Sequence, residues 1–266
     1  MDDSIAKNSG RFSGFAGLYD QTRPAMPFYP VEVITRYLGR KPEIVIDLGC
    51  GTGLSSSVWK NRCEELVGID PSEDMLVVAR QKETAGFSFR KGFSSGTGMP
   101  DQSVDVVVCS QSFHWMEPHS SLQEINRILK PGGIFSTVDC DWPPVSDWRV
   151  EKAYTDLFGK ISCIEKTDDQ VKTSFVRWDK DDHLTNIRQS GYFSYTREIV
   201  FSNRETCDAE RLIGLAKSQG GLQTVLKYRP ELIESDMGAF VKTVHAVFGD
   251  RVFDIDFGYR MRMGIK

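Results

Sequence analysis

The 266-residue chain has no run of about 18 apolar residues, the length a helix needs to cross a bilayer. Its opening text, MDDSIAKNSG, lacks the cationic-then-apolar order of a secretory leader. These absences predict a cytoplasmic protein with no membrane attachment. Charge of one sign is also missing in excess: 33 Lys and Arg stand against 37 Asp and Glu, a net charge of −4. Such a chain offers no broad basic field for nucleic acid or anionic lipid, so no nucleic-acid partner is expected. The six cysteines (Cys50, Cys63, Cys109, Cys140, Cys163, Cys207) form no CxxC pair and have no close histidine. Neither a zinc site nor a disulfide framework follows from them, no metal is expected, and a reducing compartment suits them. Internal repeats and low-complexity tracts are absent too. What is present, 40% hydrophobic and 26% charged residues, fits one large α/β domain or one domain with a sizeable insertion.

The stretch richest in chemistry is IVIDLGCGTG, Ile44 to Gly53. A β-branched run ends in Asp47 and Leu48, passes Gly49, Cys50, Gly51 and Gly53, and meets a helix-compatible segment from Leu54. Strand, tight turn and helix N-terminus in that order make a ligand cradle, because glycines let a ligand approach the backbone with no Cβ in the way. The dinucleotide fingerprint G-x-G-x-x-G fits imperfectly: the third glycine falls one residue early, at Gly53, and Leu54 holds the final place. A carboxylate at Asp47 would also repel a pyrophosphate at the helix N-terminus. S-adenosylmethionine has no phosphate and carries an ammonium and a sulfonium, which an acid tolerates or favours.

The rest of the core follows the same alternation. Pro30 to Leu38 reads as an amphipathic helix, Leu54 to Asn61 as a crossover helix, and Glu65 to Asp70 as a second strand ending in an acid. Asp70 lies 17 residues beyond Gly53, placed to accept both ribose hydroxyls of an adenosine; the other reading is that it opens the turn at Pro71. Ser72 is a plausible N-cap, with Glu73 and Asp74 in the first helical turn. Phe87 to Lys91 is a third strand leading into a glycine-rich loop. Val104 to Cys109 is a strand buried on both faces, delivering SQSFHW (Ser110 to Trp115) to the carboxyl edge where ligands bind in open α/β sheets. Ser121 to Glu124 reads as a capping box opening a fourth helix, and Ile134 to Val138 as a fifth strand.

DLGCGTG, together with the LYD, RP, GID and FHW elements, resembles the class I methyltransferases that use S-adenosylmethionine, within the broad type 11 family that includes trans-aconitate methyltransferase. The resemblance covers residues 11 to 140 well and 190 to 263 in outline. It implies a doubly wound, seven-stranded Rossmann-like sheet in the order 3-2-1-4-5-7-6, with helical cap insertions after strands five and six. The expected organisation is a cover segment with its helix (1–40), the S-adenosylmethionine-binding core (41–140), a helical insertion (141–190), and strands six and seven with a second insertion (191–266), one structural domain in all. It implies cofactor contacts from Asp47, Gly49, Cys50, Gly51, Asp70, Pro71, Ser94, Ser95 and Gln111. Met75 belongs on the adenine face or in the core. Tyr19 and Arg23 are expected to contact the cofactor too, from a segment folded over it; Phe12 and Phe15 are cover or simple packing. Phe113, Trp115 and Tyr29 are expected at the substrate. The acid usual after the third strand is replaced by Phe93, Ser94 and Ser95, so adenine is left to a hydroxyl or backbone carbonyls.

Methyl transfer from a sulfonium is an in-line displacement to which an enzyme contributes positioning and exclusion of water. A hydroxyl, amine or carbon acid as acceptor calls for a base, and of the four histidines (His114, His119, His183, His245) only His114 falls by pattern at the sheet edge. A carboxylate needs no base, and Arg23, Arg177 or Arg188 would hold it. The insertions read as a cap over a small-molecule acceptor or as an oligomer face, and a homodimer stays open. Two other readings compete: a non-catalytic S-adenosylmethionine-binding scaffold and a nicotinamide-dependent oxidoreductase.

Overall fold

A computed structural model describes Asn8, Gly14 and residues 16–266. Phe12, Phe15 and the other N-terminal positions fall outside the described residues. One seven-stranded sheet runs in the order β3-β2-β1-β4-β5-β7-β6. Its strands are β1 (Ile44–Leu48), β2 (Glu65–Asp70), β3 (Phe87–Lys91), β4 (Val104–Ser110), β5 (Leu129–Cys140), β6 (Tyr195–Cys207) and β7 (Phe253–Ile265). β1 to β5 pair in parallel, and β7 pairs antiparallel to β5, with Ile134 opposite Ile265 and Cys140 opposite Tyr259. The run VDVVVC in β4 is buried throughout, as a central parallel strand requires.

By its contacts the chain divides into two compact units. The sheet unit comprises Pro24–Cys140, Arg177–Val200 and Tyr259–Lys266. Segment 177–190, expected with the insertion, belongs here, and Ile187 of the helix His183–Gln189 is in its core. Ile46, Leu48, Val107, Phe113, Ile125 and Phe135 pack around that centre. The helical unit takes Asp141–Val176, Phe201–Gly258 and the described part of Met1–Arg23. There the helix Trp148–Thr167 buries Val150, Leu157 and Ile161. The helix Glu234–Phe248 sets Phe240 edge-on to Tyr154.

Two local features fix the sheet. Phe89 of β3 fills the space that side chains at Gly53 and Gly68 would take: a Cβ at Gly68 would lie 2.3 Å from its ring, one at Gly53 2.8 Å. At the opposite, amino edge, Asp105 of β4 accepts from the backbone N–H of Glu43 (2.7 Å) and Ile44 (3.0 Å), and pairs with Arg40 (2.6 Å) and Lys130 (3.0 Å). Burial alone would push its carboxyl up, but these donors hold it below the ordinary value.

Several expected elements differ. In place of a helix from Leu54 to Asn61 there is a 3₁₀ turn, Ser55–Trp59. Its serines bond elsewhere: Ser56 to the Asp47 carboxylate and Ser57 to the Leu54 carbonyl (2.6 Å), the competition that makes serine a poor helix interior. The fourth helix, Pro118–Ile128, starts three residues before the proposed capping box. Glu117 is its N-cap, accepting from the N–H groups of His119 and Ser120, with Pro118 in the first turn. Ser121 and Glu124 therefore lie inside the helix and hold the loop after β3. Ser121 donates to Ser94 Oγ (2.8 Å), and Glu124 accepts from the N–H and hydroxyl of Thr97 (2.7 and 2.6 Å). Ser72 occupies its N-cap position without a side-chain bond; Asp70 accepts its N–H instead. A further helix forms at Gly220–Tyr228.

Candidate active site

The glycine turn leaves β1 with Gly49, Gly51 and Gly53 all in the left-handed region (φ 74°, 55° and 73°). Gly49 is the tightest: a Cβ there would sit 2.5 Å from Ser112 Cβ. Beside this turn lie two buried acids. Asp70, at the end of β2, accepts the N–H of Gly51 (2.9 Å) and of Ser72 (2.8 Å), one on each carboxylate oxygen. Each oxygen retains a lone pair for a further donor. Asp47 accepts from the Ser56 hydroxyl through Oδ2, while its Oδ1 is buried with no hydrogen-bond partner. Burial pushes both carboxyls up to about 6, with Asp70 adding to the rise at Asp47 and backbone donors opposing it at Asp70. Two buried, under-partnered carboxylates beside a cradle of glycines suit a ligand that brings positive charge and hydroxyl donors. S-adenosylmethionine fits that description, with Asp70 for hydroxyls and the Gly49–Gly51 backbone for close approach.

Most other sequence-named residues lie in the sheet unit. Cys50 is buried behind the turn, and burial pushes its thiol well up. Pro71 is half-buried, and Met75 is 3% exposed, packed into the unit from its helix. Ser94 is half-buried on Ser121, and Ser95 is exposed in the Phe93–Gly96 turn. Gln111 follows β4 in the left-handed region (φ 56°), and its Oε1 accepts from Lys180 Nζ (3.1 Å). Trp115 is half-buried, its ring 4.7 Å from that of His114. Tyr29 is exposed at the start of its helix. Phe113 corrects the expectation of a substrate wall: at 1% exposure it is a core residue, edge-on to Phe135 (5.4 Å) and His183 (5.0 Å). Tyr19 and Arg23 belong to the helical unit. Arg23 donates there to the Ser218 carbonyl (3.2 Å) and Gln219 Oε1 (3.1 Å), over the rings of Tyr19 and Trp142.

A cluster that no sequence pattern marks lies at the end of β5, and His114 belongs to it. Asp139 is surrounded by Lys180 Nζ (3.2 Å), His183 Nδ1 (3.1 Å), Arg262 Nη1 (3.4 Å) and His114 Nδ1 (3.8 Å). Burial opposes ionisation of Asp139, yet Lys180 and the imidazoles hold it well below the carboxylate range. His114, in the 3₁₀ turn Phe113–Trp115, is 6% exposed, and burial, seconded by Lys180, holds its imidazole well below the usual histidine value. The one signal available was Asp139 itself, an acid ending an apolar strand as Asp47 and Asp70 do.

An open α/β sheet with its ligand cradle at the carboxyl edge of β1 and acids at the tips of β1 and β2 defines a nucleoside-binding Rossmann-like enzyme class. Residues 46–137 match the family model described as a methyltransferase domain. The methyltransferase-like protein C25B8.10 of Schizosaccharomyces pombe is 26% identical over 231 residues, covering 86% of this chain and 85% of its own. CRG1 of Saccharomyces cerevisiae, named a probable S-adenosylmethionine-dependent methyltransferase, is 31% identical over 125 residues, 44% of this chain and 43% of its own. A solved methyltransferase-type structure from Anaeromyxobacter dehalogenans shares the fold, with TM-score 0.68 and 18% identity over 91% of this chain and 97% of its own. Residues 46–137 thus form a class I S-adenosylmethionine-dependent methyltransferase domain, and S-adenosylmethionine is its cofactor. Among the described residues no helix is long and apolar enough to cross a membrane. Nor does any group of three or more His, Cys, Asp or Glu there suit a metal ion.

Proposed function

We propose that this chain methylates a small-molecule acceptor whose attacking atom carries a proton, a hydroxyl, an amine or a carbon acid, with His114 removing that proton. The observation that carries the reading is the position of His114, in the turn that follows β4 at the carboxyl edge of the sheet, with its Nδ1 3.8 Å from Asp139 Oδ1. Bound S-adenosylmethionine supplies the methyl group and a sulfonium whose charge disappears on transfer. Asp70 and the Gly49–Gly51 backbone bind, Asp47 offsets positive charge, and the buried surroundings of His114 keep water away from the proton transfer. A carboxylate acceptor would lean on an arginine instead of a base. Of the three arginines that could hold a carboxylate, Arg23 is bound to Ser218 and Gln219 and Arg188 to the Thr196 hydroxyl (3.2 Å), while Arg177 faces His114, so the carboxylate reading rests on Arg177. The test is release of S-adenosylhomocysteine across panels of hydroxylated, aminated and carboxylated small molecules. His114→Ala is expected to keep cofactor affinity and lose at least about 100-fold in turnover; unchanged turnover removes His114 from the mechanism.

A further inference from the structure

Four separate pieces of the sheet unit converge on one carboxylate. Asp139 sits near the end of β5; Lys180 comes from the segment before the helix His183–Gln189, His183 from its first turn, Arg262 from β7 and His114 from the turn after β4. Two cations suffice to neutralise a buried acid, and Arg262 is itself shared with Glu198 (2.8 Å). A purely structural ion cluster has no use for a second imidazole brought up to it. Yet His114 Nδ1 is buried, has no hydrogen-bond partner, and faces Asp139 Oδ1 at 3.8 Å. Lys180 connects the cluster to the site from the other side, for it also donates to Gln111, the strained residue at the tip of β4.

We propose that Asp139, anchored by Lys180, His183 and Arg262, is the positioning residue of His114: its charge, 3.8 Å from Nδ1, favours the imidazole proton there and so leaves the Nε2 lone pair for the acceptor's proton. This rests on the reading of His114 as the base. In the step it serves, the acceptor's bond to hydrogen breaks and the proton goes to Nε2, while the acceptor atom forms its bond to the methyl carbon and the sulfur keeps the electron pair of the bond it loses. The imidazolium then carries its Nδ1–H against the Asp139 carboxylate, which stabilises it. The groups facing His114 are Asp139, Lys180, His183 and Arg177, with the Trp115 ring alongside. Asp139 favours the imidazolium and the three cationic or titrating neighbours disfavour it. Lys180, a third exposed, is the member that can be changed with least damage to the core.

The experiment is long-range proton–nitrogen NMR of the histidine side chains in the full chain, over a pH series, assigned by single replacement of each of the four histidines. The neutral Nδ1–H form of His114 is expected at neutral pH; the Nε2–H form overturns the proposal. Lys180→Met should raise the His114 midpoint by about one pH unit and shift the acid limb of turnover with it, while Lys180→Arg restores the parent value. A midpoint unmoved in Lys180→Met also overturns it. Asp139→Asn, if it folds around Arg262, should move the midpoint down and mix the two neutral forms. His114→Ala separates the two readings. If that variant turns over normally, the base assignment falls; if it is inactive while Lys180→Met leaves His114 unmoved, only the positioning role falls.

Discussion

At the tips of β1 and β2, Asp47 and Asp70 are buried with neutral donors alone; at the tip of β5, Asp139 is buried with Lys180, Arg262 and two imidazoles around it. The residue type and the burial are the same, yet the carboxyls of the first two are pushed up to about 6 and the third is held far down. Desolvation is the largest influence at all three, so the neighbours decide the outcome. The first pair gains when a cationic ligand arrives, because that ligand supplies the charge the protein does not. Asp139 has its counter-charges already and gains nothing; its value lies in what it does to the imidazoles. A fourth acid, Asp105 at the amino edge, resembles Asp139 in being saturated but touches no ligand-facing group.

The comparison breaks or sharpens under substitution, and the largest effect belongs to the acid farthest from the chemistry. Asp105→Ala leaves two backbone donors without their acceptor and releases Arg40 and Lys130 to solvent, and should cost about 2–4 kcal/mol in urea unfolding while leaving S-adenosylhomocysteine affinity unchanged. A fall in affinity of the folded protein would erase the line between structural and ligand-binding acids. Asp70→Asn should do the reverse, weakening S-adenosylhomocysteine binding by about 10- to 100-fold in calorimetric titration with little loss of stability.

The pH dependence carries the same contrast in sign. Asp47 and Asp70 have folded values of about 6 against an ordinary 3.8. The folded, ligand-free state therefore binds more protons than the unfolded one, and stability from these groups is full below pH 3.8 and lost as pH rises through about 6. Asp139 contributes in the opposite sense: its stabilisation is present above 3.8 and lost as pH falls. S-adenosylmethionine binding should then strengthen with pH through about 6 and release protons, read from titrations in two buffers of different ionisation heat. Binding heats that do not depend on the buffer would remove the acids from cation recognition. The smallest effect is Ser56→Ala, which takes away the hydroxyl on Asp47. It should weaken S-adenosylmethionine binding near pH 6 by a few-fold, about 1 kcal/mol.

How far the sequence carries depends on the range of the interaction. The glycine turn and Asp70 were legible because strand, turn and acid are neighbours in the chain, and the strand order followed from the resemblance those residues carry. Ser121 and Glu124 match a capping pattern, but the competing cap at Glu117 followed by Pro118 stood just before them, and their side chains turned to a loop 27 residues away. The Asp139 cluster was opaque for a related reason. Its members come from positions 114, 139, 180, 183 and 262, and no periodicity links them. Phe113 shows the limit within a motif. SQSFHW reaches the sheet edge as a unit, but alternate side chains part company, the phenyl ring into the core and the imidazole toward Asp139.

The ring of Phe89 has a consequence for how this chain can vary. Because it occupies the space of two absent side chains, at Gly53 and Gly68, positions 53, 68 and 89 share a single volume rather than three. A smaller residue at 89 would leave a hole that alanine at 68 could fill, whereas alanine at 68 beside the intact ring cannot be accommodated. The glycine that closes the turn and the glycine within β2 are thus both constrained from β3, and a redesign of this turn has to begin at Phe89.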